Sequence, residues 1–226
     1  MALRNFNQTV RLPMRIWDAP TRLFHWLLVL LIATSYVTVQ RNWMDLHLLS
    51  GYAILTLLLF RLVWGIVGSD TARFARFLRS PFAAVRHLAG FARREPDNEV
   101  GHNEAGGWMV LVMLLVLSMQ VGTGLLSNDD GSTEGPLAKY AGKALSDTLS
   151  GYHGLNFDLL LGLIGLHILA IIAYAVVKKH DLVRPMFSGK KKLPAATRAP
   201  RMASPILALA ILVVAAAAVW VLATRA

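Results

Sequence analysis

Cysteine is absent from all 226 residues. That excludes disulfides, thiolate-held iron–sulfur clusters and the covalent haem attachment of c-type cytochromes. Any metal or cofactor must be held through histidine, carboxylate or non-covalent packing. Charge is also scarce: 16% of residues are charged, against 55% hydrophobic, and acids (13) are outnumbered by lysine and arginine (23). A mean hydropathy of +0.50 is unlike an ordinary soluble domain. Five windows reach the roughly 20 apolar residues that span a bilayer, at about Thr21–Val39, Leu46–Val67, Gly107–Leu126, Leu155–Val177 and Ser204–Thr224. No internal repeat suggests a transporter built from inverted halves.

The net charge of +10 is distributed by topology. Arg4, Arg11, Arg15 and Arg22 precede the first span; Arg73, Arg76, Arg79, Arg86, Arg93 and Arg94 separate the second from the third. Lys178, Lys179, Arg184, Lys190, Lys191, Lys192, Arg198 and Arg201 separate the fourth from the fifth. The other two connections hold only Arg41, and Lys139 with Lys143. This alternation follows the positive-inside rule. It predicts a multi-pass membrane protein with a cytoplasmic N-terminus and a C-terminus on the outer side. The basic excess then meets anionic lipid and not nucleic acid. The first span has a cationic lead and small residues at Ala33-Thr34-Ser35, but its internal histidine and the spans that follow mark it as retained, not as a cleaved signal.

Between the spans, "RIWDAPTRLFHW" puts Asp18 and Pro20 at a helix start, with Trp17 and Trp26 expected at headgroup depth. The short "QRNWMD" makes the first two helices antiparallel neighbours. "RFARFLRSPFAAVRHLAGFARR" interleaves arginines and apolar residues as a helix on a membrane surface would; a solvated basic loop is the competing reading. The connection around "SNDDGSTEGPLAKYAGKALSDTLSGY" is mildly acidic and long enough to form a small cap for a periplasmic partner. "KKHDLVRPMFSGKKKLPAATRAPR" reads as a mobile cationic linker, and the wholly apolar fifth span as a peripheral anchor.

Ionisable side chains inside a membrane are costly and mark function. Of seven histidines, His25, His47, His153 and His167 fall within or at the ends of the spans; His87 and His180 lie in basic connections and read as surface residues. The fourteen positions between His153 and His167 return to within roughly 40° on a helix and rise roughly 21 Å, so both rings share one face at two depths. One metal cannot use both, so two sites are implied. Span direction pairs His47 with His153 near the outer surface and His25 with His167 toward the inner one. The inner match is the looser, because His167 lies roughly 15 Å from its helix end and His25 much less. Paired imidazoles from opposed helices, in lipid and without thiolate, suit haem; zinc would ask for four ligands. Gly51, Gly162 and Gly165 admit either a macrocycle or close helix packing. Arg61, fourteen residues after His47, either snorkels to the interface or neutralises a propionate of the inner haem. No role is assigned to Asp158.

"LFHWLL", "LHLLSGYAILTLLLFRLVWG", "GHNEAGGWMVLVMLLVL" and the two-histidine fourth helix resemble the prokaryotic cytochrome b561 family. The b-type cytochrome subunit of nickel–iron hydrogenases lies in the same superfamily. The resemblance covers about Arg15–Pro185. It implies an all-α polytopic fold, a four-helix haem-binding bundle with one additional C-terminal helix here. It further implies two b haems, held by His25 and His167 on the cytoplasmic side and by His47 and His153 on the periplasmic side. Electrons would pass between a quinone pool and a periplasmic redox protein such as a c-type cytochrome or a hydrogenase, or, in one branch, superoxide. The expected organisation is a cytoplasmic segment (1–19), the bundle (20–185), a basic linker (186–202) and the extra helix (203–226). His102, Asn103 and Glu104 are candidate quinone residues, a helix cap being the alternative for Asn103 or Glu104. Two rivals stay open: a quinol-linked superoxide oxidoreductase, which needs a cationic funnel near Lys139 and Lys143, and a haem-free proton or metal transporter. A homodimer stays open too.

Overall fold

A computed structural model describes residues 10–131 and 133–225. Five of its helices are long and apolar enough to cross a membrane: α1 (Ala19–Gln40), α2 (Met44–Val67), α5 (Glu104–Gly124), α7 (Lys143–Ala173) and α9 (Pro205–Arg225). Shorter helices α3 (Phe74–Phe77), α4 (Pro81–Ala89), α6 (Ala138–Ala141) and α8 (Val183–Ser188) fill the connections. The protein is therefore an all-α membrane protein with five spans, as the hydropathy predicts. Among the described residues one sheet forms, a pair of antiparallel strands, β1 (Arg11–Arg15) and β2 (Lys190–Pro194), in the register Arg11↔Pro194 through Arg15↔Lys190.

The chain divides into two compact units. The first comprises Met1–Leu23, Val63–Val110 and Leu166–Ala208. Its core joins Ile16 (2% exposed), Trp17 and Leu193 (0%), with Met14, Val100 and Met186 packed around them. Two expectations change here. Trp17 is buried against protein, not set at a headgroup surface. The cationic stretch expected to be mobile contains β2, because Leu193, following three lysines, is fully buried and Lys191 pairs its ammonium with Asp97. Replacing Leu193 by alanine is expected to cost about 2–5 kcal/mol, read as a lowered thermal transition in detergent.

Asp18 shows why α1 starts where it does. Its Oδ1 accepts from the Thr21 backbone N–H at 2.6 Å, capping the helix, while Oδ2 accepts from the Trp64 indole at 3.2 Å. Trp64 is fully buried, so one carboxylate serves both a helix end and a buried donor. On α4, Phe82, Val85 and Leu88 are exposed at 81%, 66% and 55%, while Ala84 is buried. That amphipathic helix is the one the interleaved arginines suggest.

The second unit comprises Phe24–Leu62, Leu111–Gly165 and Leu209–Ala226. Here the Ser35 and Ser50 hydroxyls meet at 2.5 Å, and Tyr36 stacks on Phe157 with centroids 5.9 Å apart. The turn between α1 and α2 closes with Trp43 N–H donating to Thr38 O at 2.8 Å. α7 begins at Lys143, twelve residues before the apolar window starts at Leu155. Its first turns are polar and invisible to hydropathy, yet Ser146 and Ser150 fasten them to Leu126 O and Asn128 O at 2.6 and 2.8 Å.

Candidate functional site

His47 enters from the first turn of α2, and His153 from the third turn of α7. Their ring centroids are 6.3 Å apart and the rings are perpendicular, at 89°. His47 Nδ1 donates to Ser35 O at 3.2 Å, and His153 Nδ1 donates to Gln120 O at 2.9 Å. A carbonyl can only accept, so both protons sit on Nδ1 and both Nε2 lone pairs are available. Metal-bound histidines are oriented in this way. His47 and His153 are the residues that would hold a metal-centred cofactor at this place, each presenting a ring nitrogen opposite its carbonyl-bound Nδ1.

Several glycines on α2, α5 and α7 leave open space beside the backbone. A Cβ built on Gly51, Gly122 or Gly154 meets nothing within 4 Å, and the same holds at Gly162 and Gly165. These glycines therefore do not serve close helix packing within the chain, the alternative that the sequence left open. Gly124 is different, since a Cβ there would lie 2.8 Å from His153 Cε1. The absent side chain is the space the imidazole uses.

Three residues near this pair escaped the sequence reading. Ser35 supplies the carbonyl for His47. Gln120 supplies the carbonyl for His153, and its amide nitrogen lies 3.1 Å from His153 Nε2. Amide and iron are alternative partners for that nitrogen. Buried Asn156 ties the set together, donating to Gln120 Oε1 at 2.7 Å and Val116 O at 3.0 Å. The available signal was two uncharged amides in apolar helices, a type that glues spans together.

The other predicted residues are placed as follows. His25 lies in the second unit, edge-on to Trp26 with centroids 4.8 Å apart, and His167 lies in the first, in the last third of α7. Arg61 is 2% exposed, so its guanidinium does not snorkel to a surface. His102 is held between Trp17 and Phe77, each with centroids at 4.7 Å. Asn103 caps α5 by accepting from Gly106 N–H at 2.7 Å, and its amide also donates to the Tyr174 hydroxyl at 3.0 Å. Glu104 Oε2 lies 3.2 Å from His87 Nδ1, and His87 Nε2 is 2.6 Å from that same hydroxyl. So Asn103 and Glu104 come together, while His102 joins a separate aromatic cluster.

His87 and His180 are not the surface residues the basic connections suggest. Their side chains are 20% and 12% exposed. His87 is drawn in by α4, and His180 Nε2 donates to Glu95 O at 2.9 Å.

The sequence profile of the family described as prokaryotic cytochrome b561 matches residues 16–189. The chain belongs to that family. It is a membrane b-type cytochrome: its cofactor is haem b and its work is electron transfer. The matched stretch contains α1, α2, α5 and α7, leaving α9 beyond it. The cytochrome is also 24% identical over 211 residues to a probable Ni/Fe-hydrogenase B-type cytochrome subunit of Rhizobium leguminosarum bv. viciae, covering 78% of this chain and 87% of that one. No solved structure matches it. Bound haem would supply one-electron exchange at iron; His47 and His153 would offer it nitrogens oriented through their Nδ1 bonds to Ser35 O and Gln120 O.

Proposed function

We propose that this cytochrome carries two b haems, one between His47 and His153 and the other between His25 and His167, and conducts electrons between a quinone pool and a periplasmic redox protein. One observation carries the reading: the 6.3 Å His47–His153 pair with both Nδ1 protons committed to carbonyls. The second site rests on the matching histidines of sequence. Two haems divide a bilayer-wide gap into shorter hops. Arg61, buried on α2, is suited to balancing a propionate. The protein sits in the inner membrane with its N-terminus cytoplasmic.

The name of the Rhizobium relative makes a hydrogenase one candidate partner, and a c-type cytochrome is the other. The outer connection supports a docking role. Asp129, Asp130 and Glu134 line an open cavity of about 510 Å³. Backbone N–H groups of Thr133 and Gly131 hold the Asp129 carboxyl below the usual range, which keeps this face anionic toward a basic partner. The same residues weigh against a superoxide funnel. Lys143 is already engaged by Asp130 and Asp147, and Lys139 lies 5.0 Å over the Tyr140 ring.

A reduced-minus-oxidised spectrum of the purified protein, with a haem-to-protein ratio, tests the reading. Two b haems per chain are expected. A ratio of one would remove the His25–His167 site, and no haem would remove the proposal entirely.

A further inference from the structure

Glu104, His87 and Tyr174 come from three separate elements of the first unit: the start of α5, the amphipathic α4, and the π-helical turn Tyr174–Lys178 that continues α7. Their polar atoms form one chain in which every donor has an acceptor. Asn103 donates to the Tyr174 hydroxyl, that hydroxyl donates to His87 Nε2, and His87 Nδ1 donates to the Glu104 carboxylate, at 3.0, 2.6 and 3.2 Å. Tyr174 is 7% exposed, and Phe91 meets its ring edge-on at 5.1 Å. Glu104 instead lines an open polar cavity of about 310 Å³, shared with Glu99, His102, Arg76, Arg79 and Arg198. The chain therefore runs from an open cavity to a buried phenol. The π-turn that closes α7 begins at Tyr174 itself.

We propose that Glu104, His87 and Tyr174 form a proton relay between that cavity and the quinone chemistry of the cytochrome. The inference rests on the quinone reading given under Proposed function and deepens it. Oxidation of a quinol to a quinone releases two electrons and two protons. The electrons enter the transfer reaction, and each proton needs a route to water. In the arrangement present, Glu104 takes the proton of His87 Nδ1, His87 Nε2 takes the phenolic proton, and Tyr174 regains one from the quinol hydroxyl. The proton then leaves Glu104 for the cavity. The second proton follows once the imidazole returns to its starting tautomer, and quinone reduction runs the sequence backwards. Carboxylate, imidazole and phenol at hydrogen-bond distance are the groups that general acid–base transfer requires.

Several charges face this relay. Glu99 stands beside Glu104 at the cavity, its carboxyl pushed up by partial desolvation and by the Glu104 charge. His180 lies 6.2 Å from the Tyr174 ring, with Asp97 and Lys191 behind it. Arg94 donates to Val177 O at 3.0 Å, and Lys178 lies 5.7 Å from Phe91. Opposite the relay, α4 turns Phe82 and Val85 outward.

The alternative is a structural clamp that merely fastens α4. The test reduces the full-length protein in lipid nanodiscs with short-chain ubiquinol and menaquinol analogues, following haem reduction by stopped flow through the imidazole titration range. His87→Gln and Tyr174→Phe are each expected to slow reduction at least about tenfold and to flatten its pH dependence. Their dithionite-reduced spectra and haem content should match the unmodified protein. Unchanged rates would overturn the relay. So would an equal slowing at every pH with the profile retained, the signature of a clamp. Should His87→Gln lose haem, Tyr174→Phe, which keeps the ring on Phe91, and Glu104→Gln decide the matter by the same profile. If neither quinol reduces the unmodified protein although both haems are present, the quinone reading itself fails, and that outcome is separate from the others.

Discussion

Alanine at His153 is expected to abolish one b-haem component and leave the other, and alanine at His47 should abolish that same component. His167→Ala and His25→Ala should remove the complementary one. Under the proposed pairing each substitution would remove one of the two nitrogens that hold a given haem, and a single imidazole from one helix would not hold the macrocycle as two do. The measurement is the haem-to-protein ratio, with a potentiometric titration of the visible spectrum to separate the components. The loss should be nearly complete for the targeted haem, falling from two per chain to one. Loss of the same component from His153→Ala and His167→Ala would end the two-site pairing, since those residues sit fourteen positions apart on one helix.

Valine at Gly124 is the second large effect. A Cβ at that position would stand 2.8 Å from His153 Cε1 and 3.2 Å from its Nδ1, closer than real Cβ contacts go. The ring cannot retreat without straining its 2.9 Å bond to Gln120 O, so its place opposite His47 must change. Expected results are a displaced midpoint and weakened band for the haem assigned to His47 and His153, with the other component unaltered. Alanine should give a milder version of the same shift, because one methyl demands less movement of the ring. The matching control is Gly51→Ala, whose Cβ meets no protein atom within 4 Å. It should leave the His47 ring where it is and report only on the space beside it. A Gly124→Val protein with an unperturbed spectrum would mean that the packing around His153 has no hold on the cofactor.

Much of this arrangement was legible in the residues. Apolar runs marked all five spans, and arithmetic on His47 and His153 brought together two rings that the structure also joins. Hydropathy failed where a helix begins in polar sequence, as at Lys143, because hydrogen bonds from Ser146 and Ser150 hold those turns and not apolar burial. Periodicity likewise had no means of seeing β2. A strand of three consecutive lysines is held in order by one inward leucine and a partner strand nearly 180 residues away. His87 was misread for a related reason: its value depends on Tyr174 and Glu104, and neither is near it in the chain. Gln120 and Asn156 were visible as amides among aliphatics, but only their contact with His153 assigns them a place.

The pairing of β1 with β2 has a consequence for threading through the bilayer. Backbone hydrogen bonds cannot reach across a membrane, so the segment before α1 and the segment after α7 must lie in the same compartment. An even number of crossings must separate them. α1, α2, α5 and α7 make four. The Lys191–Asp97 ion pair adds the stretch between α2 and α5 to that compartment, again with an even count on either side. Parity thus restricts the topology through a dozen atoms of sheet and one ion pair, with no appeal to which residues are positive.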